Sequence, residues 1–116
     1  MDAAEASIAY RDDVRPEAAT IATLYRAAGL ARPNDDLARI GRMYAAANVV
    51  LTAWCAGELV GILRAWDDGG FLAYIADLAV HPDHQRRGIG RELLRRAVES
   101  DPQVTFLLHA APEAMT

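Results

Sequence analysis

The chain has 116 residues, 53% of them hydrophobic, and a formal net charge of -4; that length suits one domain with its own core rather than two. The acid excess argues against a general nucleic-acid-binding surface, and the single cysteine, Cys55, excludes an intramolecular disulfide framework and agrees with a reducing compartment. The acidic start Met1-Asp-Ala-Ala-Glu5 has no signal-peptide pattern, and the most apolar window, Asn48 to Leu63, is interrupted by Gly57-Glu58, so a soluble, cytoplasmic protein with no membrane span is expected.

Ile8 and Tyr10 alternate with small or polar neighbours, which predicts a first strand over Ser7–Arg11 before Asp12-Asp13. Pro16 suits a first helical position, and Ile21, Leu24, Tyr25 and Ala28 recur at helical spacing until Gly29, so a helix is expected over Pro16–Ala28. Asn34, Asp35 and Asp36 supply capping acids and amides ahead of Leu37, Ile40, Tyr44 and Ala47, which share one face of a second helix. Val49–Cys55 and Leu59–Trp66 are rich in β-branched and aromatic residues and flank Ala56-Gly57-Glu58, the pattern of a hairpin. Asp67-Asp68-Gly69-Gly70 turns the chain into a fourth strand, Phe71–Val80. A third helix is expected over Gly88–Ser100, striped by Ile89, Leu93, Leu94, Ala97 and Val98, and then a fifth strand over Val104–Leu108.

This order, β-α-α-β-β-β-α-β, predicts a single α/β domain with a mixed sheet covered by helices. The fourth and fifth strands, joined through a helix, should be parallel neighbours. All twelve basic residues are arginine, and five of them fall between Arg86 and Arg96, so positive charge is concentrated after the fourth strand. There Gln85-Arg86-Arg87-Gly88-Ile89-Gly90 opens a helix. Glycines let the backbone approach a ligand closely, and the N–H groups of a helix start together with arginines favour a pyrophosphate. A Walker loop would need a lysine, which the chain lacks, and a Rossmann fingerprint would need a glycine where Leu93 stands.

The loop resembles the acyl-CoA signature of the GNAT superfamily of N-acetyltransferases, Gln/Arg-x-x-Gly-x-Gly/Ala, and it comes after a strand ending Leu78-Ala-Val80 as in that family. The run Tyr74-Ile-Ala-Asp-Leu-Ala-Val-His-Pro-Asp-His-Gln85 is similar to that of small bacterial members, and the likeness in element order extends from Ser7 to Leu108. The resemblance implies an acetyl-CoA-dependent N-acetyltransferase acting on an amine of a small molecule or protein. By the same likeness the backbone of Leu78, Ala79 and Val80 would pair with the pantetheine arm, and Gln85, Arg86, Arg87, Gly88, Ile89, Gly90 and Arg91 would hold the pyrophosphate. The other readings are a CoA-binding or regulatory module without turnover, and a structural or partner-binding fragment.

An amine nucleophile must lose a proton, so a base, a water relay or desolvation is required. The family often uses a carboxylate on or near the fourth strand, and Asp77 is the acid there; the same residue could instead cap a loop or pair with an arginine. Tyr74, of opposite parity on that strand, would orient substrate or fill the core. His109, after the fifth strand, would act as base or polar clamp, or simply face solvent. Trp54, Trp66 and Tyr25 would line the acceptor cleft or pack in the core. His81 and His84 flank Pro82 without a third or fourth ligand in sequence, so no metal site is expected, and Cys55 reads as a small buried residue. Many family members continue past the fifth strand into a helix bearing a tyrosine acid and a final strand pair, beyond where this chain stops. The fifth strand is then an open edge, which favours a homodimer.

Overall fold

The structure is a computed structural model and describes residues 7–108. Its elements are β1 (Ile8–Arg11), α1 (Ala18–Ala28), α2 (Leu37–Ala46), β2 (Val49–Cys55), β3 (Glu58–Asp67), β4 (Leu72–Val80), a short 3-10 turn (Pro82–His84), α3 (Ile89–Ser100) and β5 (Thr105–Leu108). The sheet order is β1-β2-β3-β4-β5. The first four strands form an antiparallel meander, and β5 joins β4 in parallel, as a crossover through α3 requires.

Helix ends obey local chemistry. α1 closes on Gly29 in the left-handed region (φ 73°), whose N–H reaches Arg26 O while the Leu30 N–H reaches Tyr25 O. Its start differs from the expectation at Pro16. Glu17 is extended (ψ 149°) and accepts the first helical bond from the Ile21 N–H, so the helix begins two residues later and Pro16 precedes the cap. Asp36 caps α2 by accepting from the Arg39 N–H at 3.1 Å, as the acid run implied. At the far end of α2, Arg15 donates to the carbonyls of Tyr44 and Ala47.

Apolar residues alternate across the sheet to build a core on each face. On one face Leu51, Ala53, Leu63, Ala65, Ile75, Leu78 and Val80 meet Ile89, Leu93 and Ala97 of α3. On the other, Val50, Ile62 and Ala79 meet Ile21, Leu24 and Tyr25 of α1 and Ile40 and Tyr44 of α2. Gly61 sits where α3 crosses β3. A Cβ there would lie 2.8 Å from Ile89 Cγ2, 3.2 Å from Ala53 Cβ and 3.3 Å from Leu93 Cδ1, so the absence of a side chain sets how close the helix comes.

The β3–β4 register is interrupted once. Arg64 pairs with Asp77 and Ala65 with Ile75, which leaves Ala76 as an extra residue on β4. The bulge breaks simple alternation. Ile75 packs with Leu78 and Val80 on the α3 face, and Asp77 is delivered to the face of α1 and α2, where Tyr25 meets it.

Candidate functional site

Among the described residues β5 pairs with β4 only from Leu72 to Ile75, so β4 runs on from the Ala76 bulge to Val80 with a partner on its β3 edge alone. The side chains of Leu78, Ala79 and Val80 are buried in the two cores. What they can offer a ligand at this edge is backbone. Beyond Val80 the His81 N–H returns to Val60 O at 2.8 Å, and the Gln85 side-chain amide donates back to Val80 O at 3.2 Å, which folds the loop over the strand end.

Two residues of that loop adopt the left-handed region: Gly88 (φ 79°), where glycine is at ease, and Arg86 (φ 67°), where a side chain is not. Strain at a non-glycine residue persists only where the surroundings impose it, and it recurs at ligand sites. Gly88 is the N-cap of α3 and brings no side-chain cap; its carbonyl accepts the first helical bond, from the Glu92 N–H at 2.9 Å. The N–H groups of Ile89, Gly90 and Arg91 therefore stand ahead of that bond at the positive end of the helix. Ile89 and Gly90 are buried, whereas the arginines at 86, 87 and 91 are exposed.

The five local arginines divide by partner. Arg95 and Arg96 are paired with Glu92, at 2.5 and 2.7 Å, and hold its carboxyl down at about 2 through hydrogen bonds. Arg96 also lies over the Tyr10 ring, 4.5 Å from its centroid. Those two are tied to Glu92 in the first turn of α3, while Arg86, Arg87 and Arg91 are exposed in and directly after the loop. Arg87 Nη1 lies 3.0 Å from His84 Nδ1, and His84 has its pKa lowered by burial and then by Arg87 and His81. His81 Nδ1 accepts from the Asp83 N–H, and the two imidazoles meet edge to face at 5.9 Å.

Asp77 has surroundings that differ from those of a proton acceptor facing an incoming amine. Its side chain is 0% exposed. Oδ1 accepts from Arg32 Nε at 2.6 Å and lies 2.5 Å from Arg32 Nη2, while Oδ2 accepts from Arg64 Nε at 2.5 Å and from the Tyr25 hydroxyl at 2.8 Å. Because the single Tyr25 proton goes to the carboxylate, the Tyr44 hydroxyl, which lies against the Tyr25 oxygen, is the donor in that pair. Burial, with Tyr44 and Asp77 adding to it, pushes the Tyr25 hydroxyl far above its ordinary value, and burial does the same to Tyr44. Burial works against the Arg64 charge, but Asp77 outweighs it and raises the guanidinium's pKa. Of the two expectations for Asp77, the geometry is that of the arginine pair.

Tyr74 is 43% exposed among the described residues, which disfavours core packing. Its register partners are Trp66 on β3 and Leu107 on β5, both also exposed, so an aromatic and apolar row crosses three strands two residues before the Ala76 bulge. Trp66 donates to Ala46 O and carries the Arg64 guanidinium over its ring at 4.7 Å. Tyr25 is a core residue rather than a cleft wall. Trp54 is half-buried, donates to Thr52 Oγ1, and lines a groove of about 520 Å³ between α1 and the β2–β3 hairpin that also reaches His81. Cys55 is buried. His109 lies outside the described residues. Arg32, Arg64 and Tyr44 were not singled out from sequence as functional groups; the one available signal was a charge, Arg64, inside the apolar run of β3.

A family model described as the acetyltransferase (GNAT) family matches residues 16–108. A protein of Pyropia yezoensis named as an uncharacterized N-acetyltransferase is 36% identical over 62 residues, which is 51% of this chain and 36% of that one; the chain thus spans little more than a third of that relative. In fold, the chain is similar to a GNAT family acetyltransferase of Streptococcus pneumoniae, with a TM-score of 0.77 and 22% identity over 91% of this chain and 77% of the other. It is also similar to a GNAT family acetyltransferase of Brucella melitensis solved in complex with acetyl-CoA, with a TM-score of 0.67 and 20% identity over 91% and 79%. No helix among the described residues is long and apolar enough to cross a membrane.

Proposed function

The chain belongs to the GNAT family of acetyltransferases, and from that premise we propose that it catalyses transfer of an acetyl group from acetyl-CoA to an amine of a small molecule or protein. The observation that carries the reading is the loop from Gln85 to Arg91. Its left-handed turns at Arg86 and Gly88 present the N–H groups of Ile89, Gly90 and Arg91 at the start of α3, beside exposed arginines. Backbone donors at a helix start with guanidinium groups around them match a pyrophosphate in both charge and hydrogen-bond sense. Charge-assisted bonds contribute roughly 1.5–3 kcal/mol each, so a few account for much of the ~8 kcal/mol of micromolar binding.

Next to the loop, the edge of β4 from Ala76 to Val80 would take the pantetheine arm by strand addition, through backbone groups of Leu78, Ala79 and Val80. When bound, acetyl-CoA supplies a thioester whose carbonyl is open to direct attack by an amine. The protein's part is to hold that group at the bulge, exclude water with the α3 core on one face, and admit the acceptor from the face of α1 and α2. Tyr74, exposed two residues before the bulge, would orient the acceptor. Asp77 has its oxygens occupied by Arg32, Arg64 and Tyr25, so removal of the amine proton falls to water or to His109.

The occupied carboxylate also favours a second reading, a module that binds acyl-CoA without turnover. Calorimetry with acetyl-CoA and a thiol-release assay over an amine panel separate the two. Micromolar binding with amine-dependent thiol release supports transfer, binding alone supports the module, and no binding removes both. A reducing, cytoplasmic setting and pairing of a second copy along the outer edge of β5 belong to the same proposal; sedimentation tests the latter.

A further inference from the structure

Arg32 lies in the connection between α1 and α2, in neither helix, yet it makes a set of bonds typical of a buried residue. Its Nε and Nη2 hold Asp77 Oδ1 at 2.6 and 2.5 Å, and Nη2 also donates to the carbonyl of Ala76, the bulge residue, at 3.2 Å. Nη1 donates to Ala31 O at 2.6 Å, so the guanidinium ties its own connection to the strand. One planar, forked cation thereby reads both the carboxylate and the bulge carbonyl. A lysine, with all its donors on one nitrogen, would lose the second bond to Asp77 Oδ1 and the bond to Ala31 O that the separate Nε and Nη1 of the fork supply.

The two arginines on Asp77 are not equivalent. The Arg64 side chain is 7% exposed and that of Arg32 is 30% exposed. Two guanidiniums share one carboxylate, so removing Arg32 leaves Asp77 still paired with Arg64 and still bonded to Tyr25. Removing Asp77 would strand Arg64 in the core. Arg32 is therefore the outer, separable member of the cluster, and water can take its place.

The place it holds is specific. Among the described residues β5 pairs with β4 as far as Ile75, and at Ala76 β4 carries its extra residue. One face of the sheet is covered by α3, and on the other the connection bearing Arg32 is drawn against β4. We propose that Arg32 is a positioning residue that clamps the α1–α2 connection onto the β4 bulge, and so fixes the wall past which an acceptor amine reaches the thioester. This rests on the reading that the thioester lies along Ala76–Val80. Arg32 bonds to Asp77, Ala76 and Ala31 rather than to the pyrophosphate loop, so cofactor affinity and acceptor use separate.

The test takes Arg32→Ala and Arg32→Lys in the full chain and reads hydrogen exchange, acetyl-CoA affinity and steady-state kinetics with the best amine of the panel. In Arg32→Ala, exchange should rise at least tenfold in residues 30–34 and 76–78 while β2 and α3 stay as in the parent. Acetyl-CoA affinity should stay within twofold, and acceptor KM should rise about tenfold or more; Arg32→Lys should fall between. Unchanged exchange in residues 30–34, or an acceptor KM equal to the parent's, overturns the clamp. Exchange that rises evenly over the whole chain overturns it as well, since Arg32 would then be a general stabilising contact. A parent that binds no acetyl-CoA refutes the transferase reading, while local exchange still decides the clamp by itself.

Discussion

Replacing Asp77 by asparagine separates a buried pin from a catalytic base. The carboxylate side chain is fully buried and takes bonds from Arg32, Arg64 and Tyr25. Asparagine keeps one acceptor oxygen and turns the other into an N–H donor facing a guanidinium or a hydroxyl, and Arg64 loses its counter-charge in the core. Stripping one partner from a buried ion pair costs about 3–5 kcal/mol, a large share of the roughly 5–15 kcal/mol that holds a domain together. With a urea dependence of about 1–3 kcal/mol per molar, the unfolding midpoint should fall by on the order of 1–5 M. A general base predicts a different result: an unchanged midpoint and a turnover loss of roughly 10²–10⁴-fold. Urea unfolding with far-UV circular dichroism, alongside turnover per folded molecule, reads both. If Asp77→Asn unfolds with the parent and loses a hundredfold or more in turnover, the carboxylate works as a base and the buried pin is refuted.

Gly61→Ala should lower the melting temperature by several degrees. Its Cβ would sit 2.8 Å from Ile89 Cγ2 against an optimum of about 3.5–4.0 Å, and the overpacking cost of roughly 1–3 kcal/mol exceeds the roughly 0.4–1 kcal/mol gained through the unfolded chain. Because Ile89 opens α3, acetyl-CoA affinity should weaken too; an unaltered melting curve would contradict this packing. Gly88→Val places a β-branched residue at φ 79°, a strain of about 1–2 kcal/mol, and should abolish acetyl-CoA binding, whereas Arg86→Ala should only weaken it. Equal calorimetric affinities for the two variants would rule that out. The Tyr25 and Tyr44 hydroxyls have pKa values raised by burial, so their stabilising effect is complete below the ordinary phenol value near 10 and is lost as pH rises beyond it, through the raised folded values. Spectrophotometric titration should show two of the chain's four tyrosines ionising only with alkaline unfolding; reversible ionisation of all four near the ordinary phenol value without loss of structure would refute the hydroxyl chain.

What could be read from the sequence was what depends on neighbours in the chain. Val49–Cys55 is the second strand as expected, because β-branched composition and an adjoining turn act over a few residues. The loop from Gln85 to Gly90 was legible as a turn into a helix for the same reason: glycines, arginines and a helix start are contiguous. The start of α1 was misplaced by two residues because Pro16 suits a first helical position, yet the chain turned helical only after an extended Glu17.

Asp77 marks the limit. Alternation along β4 gives its facing only if the strand is regular, and one extra residue at Ala76 reverses the parity beyond it. Its partners Arg32, Tyr25 and Arg64 lie 45, 52 and 13 residues away. The exposure of Tyr74 likewise depends on its tertiary surroundings, with Trp66 and Leu107 beside it across two neighbouring strands. The elements, their order and the glycine-arginine loop at the start of α3 are written in contiguous residues, because periodicity, capping and turn chemistry are short-range. That the acid on β4 is buried and held by two arginines and a tyrosine is a property of the assembled fold, because a bulge and three distant side chains converge there and no local pattern encodes their meeting.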